Sequence, residues 1–150
     1  MTVGVLTLAT VLAGLLAGNE LSTLTVSHPA LDRLPLPTQI AAERVLTRRL
    51  GRIMPFVMTT TIAVTVVAAV LLIGEPGFGA AVLAAVALIA MLATTLIGNV
   101  PRNRRTEQFP HDGTLEEWRA IRRPWHRLHT ARVALDIFAF VALVLAVLVR

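Results

Sequence analysis

Apolar residues run through this chain in four long blocks, separated by segments that hold nearly all of its charge. The first block extends from about Thr2 to Thr25 and is almost wholly apolar up to Gly18, where Asn19 and Glu20 interrupt it. The second covers about Ile53 to Ile73 and the third Phe78 to Ile97. The fourth runs from about Ala131 to Val149, with Asp136 as its one acidic residue. Each is close to the ~20 residues an α-helix needs to cross about 30 Å of hydrocarbon. In lipid every backbone polar group must find a partner inside its own structure, so such blocks predict helices. The pattern predicts an all-α, integral membrane four-helix bundle: a single domain over residues 1–150, with spans at about 2–25, 53–73, 78–97 and 131–149.

The punctuation agrees with this division. Glu75-Pro76-Gly77 predicts a tight turn between the second and third spans, and Pro55 falls near the start of the second, where proline is tolerated. Gly14 and Gly18 form a GxxxG pair that would let a neighbouring helix approach. Thr114-Leu115-Glu116-Glu117 fits a capping box and so starts a helix. Followed at helical spacing, that helix aligns Trp118, Arg122, Trp125, His129, Arg132 and Asp136 in one stripe entering the fourth span, with Pro124 placed to bend it. In the first connection, Pro35 and Pro37 precede an amphipathic run from Thr38 to Arg52. That run reads as an interfacial helix lying on headgroups, so the connections are expected to be amphipathic helices.

Composition sharpens the picture. Hydrophobic residues make up 55% of the chain and charged ones 15%, against roughly 45–50% and about 25% in soluble domains. The 14 basic residues are all arginine, and the Arg, Ala, Val and Leu richness points to a GC-rich bacterial genome. Arg33, Arg44, Arg48, Arg49 and Arg52 fall in the first connection, and Arg102, Arg104, Arg105, Arg119, Arg122, Arg123 and Arg127 in the third. The positive-inside rule places both connections in the cytoplasm and both termini outside, in a multi-pass protein of the cell (inner) membrane. Because the arginines sit beside apolar spans, the lipid bilayer, with its anionic headgroups, is the expected partner and nucleic acid is not. No basic residue precedes the first block, so a retained span is expected there rather than a cleaved signal. Cysteine is absent, which excludes disulfides, thiolate metal sites and thiol nucleophiles.

Polar residues at membrane depth are functional candidates, and here their depths coincide. Glu20 and His28 lie at the inner end of the first span, Asn99 and Asn103 at that of the third, and His129, Arg132 and Asp136 at that of the fourth. One polar cluster walled by Trp118 and Trp125 follows. Each member also has a structural reading: Asp136 as an i,i+4 partner of Arg132, Asn99 as a helix cap, His28 as part of a turn, the tryptophans as an interfacial belt. His126 and His129, with His28, Glu20 and Asp136, are the residues a metal ion would use, but no HExxH or paired ExxH motif is present. Glycine-rich phosphate loops and GxSxG hydrolase motifs are also missing.

The order of His28-Pro29-Ala30-Leu31, then Asn99-Val100-Pro101-Arg102-Asn103, then Trp118, and finally Trp125-His126-Arg127-Leu128-His129-Thr130-Ala131-Arg132 resembles the anthrone oxygenase-like family of small membrane proteins. The resemblance implies a four-helix membrane bundle and, in the family's fungal polyketide-pathway members, oxidation of an anthrone to an anthraquinone by dioxygen. Those members often carry Asn where this chain has His129. By this route His129 is the candidate base, with Arg132 as its catalytic partner. Arg132, Asn99 and Asn103 would stabilise the enolate oxygen, and Trp118 and Trp125 would hold a flat aromatic substrate. Glu20, His28 and Asp136 complete the expected binding set. No cofactor is called for, although a His-carboxylate metal ion is an open alternative.

Two other functions use the same cluster: a non-catalytic membrane protein that binds a lipid or partner subunit, and a small proton-coupled transporter, which with four spans would need a homo-oligomer for its pathway. The arginine asymmetry generates a direct test of topology. Reporter fusions at Arg150 and after Arg105 are expected to give opposite signals, and an outside signal at Arg105 would reverse the orientation.

Overall fold

The computed structural model describes residues 2–110 and 112–150, and among them every regular element is helical. Among the described residues, four helical spans are long and apolar enough to cross a membrane: Thr2–Leu31, Leu36–Leu71, Phe78–Gln108 and Leu115–Leu148. The protein is a multi-pass membrane protein built as a four-helix bundle. Small side chains form the core, among them Ala9, Ala13, Ala68, Ala81, Ala84, Ala139 and Ala142, with Leu6, Leu16, Met58, Leu88, Met91 and Leu143 between them. Large apolar side chains point outward instead, as Phe56 at 73% and Ile97 at 79% exposure illustrate. Lipid offers no hydrophobic drive between helices, so close contact comes from small residues while bulky ones meet the acyl chains.

The spans extend well beyond the apolar blocks. The second helix is 36 residues long, about 54 Å at 1.5 Å per residue against about 30 Å of hydrocarbon. Residues Thr38 to Arg52 are thus not a separate helix on the surface. They continue the second span, and the buried side is the polar stripe Gln39, Glu43 and Thr47 together with Ile40. The fourth helix likewise runs unbroken from Leu115 through Pro124 to Leu148, opened by the expected capping box between Thr114 and Glu117. Outside the apolar core, Ile40, Phe109 and Trp118 make a second small core, and Arg44 donates to the Phe109 carbonyl. These contacts join three spans into one Arg-rich end.

The first and third spans share a local feature. Each widens into a π turn, Thr23–Ser27 and Thr95–Asn99, in which the His28 N–H bonds the Thr23 carbonyl and the Val100 N–H bonds that of Thr95. A proline follows each turn at once: Pro29 and Pro101. Proline has no N–H and its ring collides with the carbonyl four residues back. The wider turn accommodates it and lets the helix continue, so the third span does not end at Gly98 to Pro101. Asn99 accordingly makes no side-chain cap.

The turn at Glu75-Pro76-Gly77 forms as expected. Gly77 has φ +88°, and a Cβ there would stand 2.7 Å from the Ala146 carbonyl oxygen. The two glycines of the GxxxG pair differ: a Cβ on Gly14 would meet Phe140 at 2.9 Å, while nothing lies within 4 Å of one on Gly18. Gly14→Leu should therefore lower the unfolding temperature in detergent and Gly18→Leu should leave it nearly unchanged. Equal effects would mean the first and fourth spans pack elsewhere.

Candidate functional site

Ion pairs between spans hold the Arg-rich half of the bundle. Glu20 of the first span accepts from Arg132 of the fourth, and the same carboxylate oxygen lies 3.3 Å from His129 Nδ1. Glu43 of the second span, at 0% exposure, accepts from Arg122 Nη2 at 2.8 Å on the oxygen that lies 2.9 Å from His28 Nδ1. An ionised carboxylate only accepts, so a hydrogen bond between them places a proton on His28 Nδ1. Arg122 Nη2 and His28 Nδ1, 3.2 Å apart, then converge as two donors on one acceptor. The outcome is two sets of Glu, Arg and His, each drawing on more than one span.

Trp125 joins the sets. Its indole stacks on His129 with centroids 4.8 Å apart at 29° and meets His28 edge-on at 4.6 Å. The Arg122 guanidinium lies 4.3 Å from the Trp125 ring and 5.7 Å from that of Trp118, in cation–π contact with both. Trp125 Nε1 donates to Asn103 Oδ1 at 2.7 Å, which occupies the Asn103 carbonyl and leaves its NH2 group to donate elsewhere. The π turns matter here: one sets His28 against Glu43, and the other leads into Asn103.

These residues border a cavity of about 90 Å³. Glu20, His28, Asn103, Trp125, His129 and Arg132 form its polar wall, with Thr23, Thr47 and Thr95 nearby. Met58 lies among the lining residues as well, and Leu46, Leu50, Met54 and Val100 are half-buried, while Gly51 and Pro55 are exposed. The mouth thus opens sideways between the second and third spans, near the beginning of the second apolar block. Pro55 cannot donate, so the Gly51 carbonyl one turn earlier lacks its intrahelical partner at this mouth.

The other expected residues lie near the cavity without lining it. Asn99 is at 0% exposure and its Nδ2 donates to the Trp125 carbonyl at 3.4 Å, so it supports the backbone that carries Trp125. Trp118 is buried in the small second core. Asp136 is also at 0% exposure, and neither of its oxygens has a hydrogen-bond partner among the described residues; Arg132 pairs with Glu20 rather than with it. His28 is more than part of a turn, since it is buried and paired. Among the described residues, Nε2 of His28 and both ring nitrogens of His129 have no hydrogen-bond partner. Among the described residues, no three His or carboxylate side chains form a metal-binding group.

Glu43 and Arg122 were not expected in the site. Arg122 belongs to the stripe entering the fourth span, but Glu43 sits among arginines in a run that reads as a solvated amphipathic helix. Only its four-residue spacing to Gln39 and Thr47 signals a buried polar face.

A family described as Anthrone oxygenase matches residues 43–142, two thirds of the chain. The matched region holds Glu43, Asn99, Asn103, Arg122, Trp125, His129 and Arg132, and stops short of Glu20 and His28. No curated protein and no solved structure matches the chain.

Removing one partner of a buried ion pair strands the other charge, at about 3–5 kcal/mol. Arg122→Ala should therefore destabilise the protein by that order in denaturant unfolding, whereas the exposed Arg119→Ala should not. Equal stability of the two variants would show that Glu43 is not held by Arg122.

Proposed function

Because the chain belongs to the anthrone oxygenase family, we propose that it oxidises a lipophilic aromatic compound bearing an activated C–H bond, of the anthrone type, with dioxygen. The observation that carries the reading is the His129 imidazole, whose ring nitrogens make no hydrogen bond to the described residues, on the wall of a cavity with an apolar mouth. The Glu20 carboxylate lies 3.3 Å from Nδ1, and in this reading Nε2 is the nitrogen that meets substrate.

The chemistry follows from the wall. His129 takes a proton from the methylene beside the rings, and the negative charge spreads onto the ketone oxygen. The NH2 group of Asn103 and the guanidinium of Arg132 are donors at the cavity for that oxygen, and preorganised donors act most strongly where water is scarce. Trp125 offers a flat face to the rings. The carbanion passes an electron to dioxygen, and recombination of the radical pair forms the C–O bond of a hydroperoxide. The substrate supplies all the electrons.

The size of the cavity favours access from lipid. An engineered cavity of ~150 Å³ holds benzene, so a space of about 90 Å³ admits only the reacting edge of a three-ring molecule. The remainder lies in the mouth beside Leu50, Met54 and Val100, against acyl chains. In this reading the Arg-rich end faces the cytoplasm and the mouth opens at the inner leaflet of the cell membrane.

Purified protein in lipid nanodiscs, given an anthrone, should take up oxygen and release the quinone. His129→Ala should abolish turnover with folding intact, and Arg132→Lys should reduce it by ~10²-fold, since the planar fork is lost. Absence of oxygen uptake by the wild type across anthrone-type substrates would favour the binding or transport functions instead.

A further inference from the structure

The cavity holds two imidazoles where the first proton transfer uses one. The second is held more firmly than the first. His28 is at 2% exposure, and its Nδ1 lies 2.9 Å from Glu43 Oε1, which also takes Arg122 at 2.8 Å. That hydrogen bond puts the proton on Nδ1 and leaves Nε2 with a lone pair and no hydrogen-bond partner among the described residues, on a ring that borders the cavity. A carboxylate that fixes tautomer and orientation in this way serves a base. The rings of His28 and His129 lie 5.7 Å apart at 83°, so two imidazoles border one cavity in different orientations.

Oxidation of a methylene to a ketone removes two C–H protons from one carbon. The first must leave perpendicular to the ring plane, where its electron pair joins the π system. Once dioxygen has added, that carbon is tetrahedral and the remaining hydrogen points elsewhere. We infer that His28, positioned by Glu43 and Arg122, is a second catalytic base that removes this remaining proton and drives loss of water from the hydroperoxide. The inference rests on the oxygenase reading above. In the first half-reaction His129 takes one proton, the carbanion and dioxygen form a peroxide anion, and His129 returns the proton to give the hydroperoxide. In the second, His28 Nε2 takes the last C–H proton, the C–H electrons become the second bond of the new carbonyl, and the O–O bond breaks. The departing hydroxide then recovers the proton from His28 as water. In sum, one methylene and one dioxygen become one ketone and one water, with both histidines restored.

Oxygen uptake, quinone absorbance and hydroperoxide titration on the same nanodisc sample test the division of labour. Wild type should give one quinone per oxygen consumed. His28→Gln should lower the quinone formed per oxygen consumed by ~10²-fold and accumulate hydroperoxide in its place. A merely structural role would lower uptake and quinone together at an unchanged ratio, and that result overturns the inference while leaving the oxygenase reading in place. A second measurement needs no His28 variant. Given a preformed anthrone hydroperoxide, His129→Ala should still dehydrate it above the protein-free rate, although it takes up no oxygen. Loss of dehydration in His129→Ala assigns both steps to one histidine and overturns the proposal. A wild type that consumes no oxygen fails one stage earlier and removes the oxygenase reading itself.

Discussion

Arginine and glutamate buried between helices are paired inside the protein, and this constraint organises the Arg-rich half of the bundle. Glu43 with Arg122 ties the second span to the fourth, and Glu20 with Arg132 ties the first to the fourth. Such pairs add little net stability over apolar packing, but breaking either one strands a charge. They therefore fix register more than they add stability. The histidines, Trp125 and the cavity take their places from that register.

Backbone geometry meets the same requirement. The first and third spans each combine a threonine whose hydroxyl bonds four residues back, a π turn and a following proline: Thr23 to Pro29 and Thr95 to Pro101. The second and fourth are long helices with an internal proline, Pro55 and Pro124. The chain thus repeats one plan, an interrupted helix followed by a long one. Each interruption brings a residue to the cavity wall that a straight helix would place differently, His28 in one case and Asn103 in the other.

Much of this was legible from residue pattern. Spans declare themselves by hydrophobic length, the capping box at Thr114 by its spacing, and the inward stripe from Trp118 to Asp136 by helical period; all six of its members are buried. Two features were hidden. A π turn adds one residue to a helical turn, and nothing in Thr-Leu-Thr-Val-Ser marks it, so periodicity fails from Thr23 onward. The run Thr38 to Arg52 looked interfacial because its arginines and leucines alternate as on a membrane surface. The rule assumes that an amphipathic helix buries its apolar side in lipid, whereas this one turns Gln39, Glu43 and Thr47 against its neighbours. Glu43 was lost for that reason, and with it the pairing of His28.

The Trp118–Arg122–Trp125 contact makes the protein its own optical probe. The sequence has two tryptophans and no tyrosine, so nearly all of its near-ultraviolet emission originates from indoles touching one guanidinium. Trp125 lines the cavity and Trp118 is sealed in the small core below it. A flat aromatic guest stacked on Trp125 would quench this emission. Occupancy can thus be followed by intrinsic fluorescence without any label.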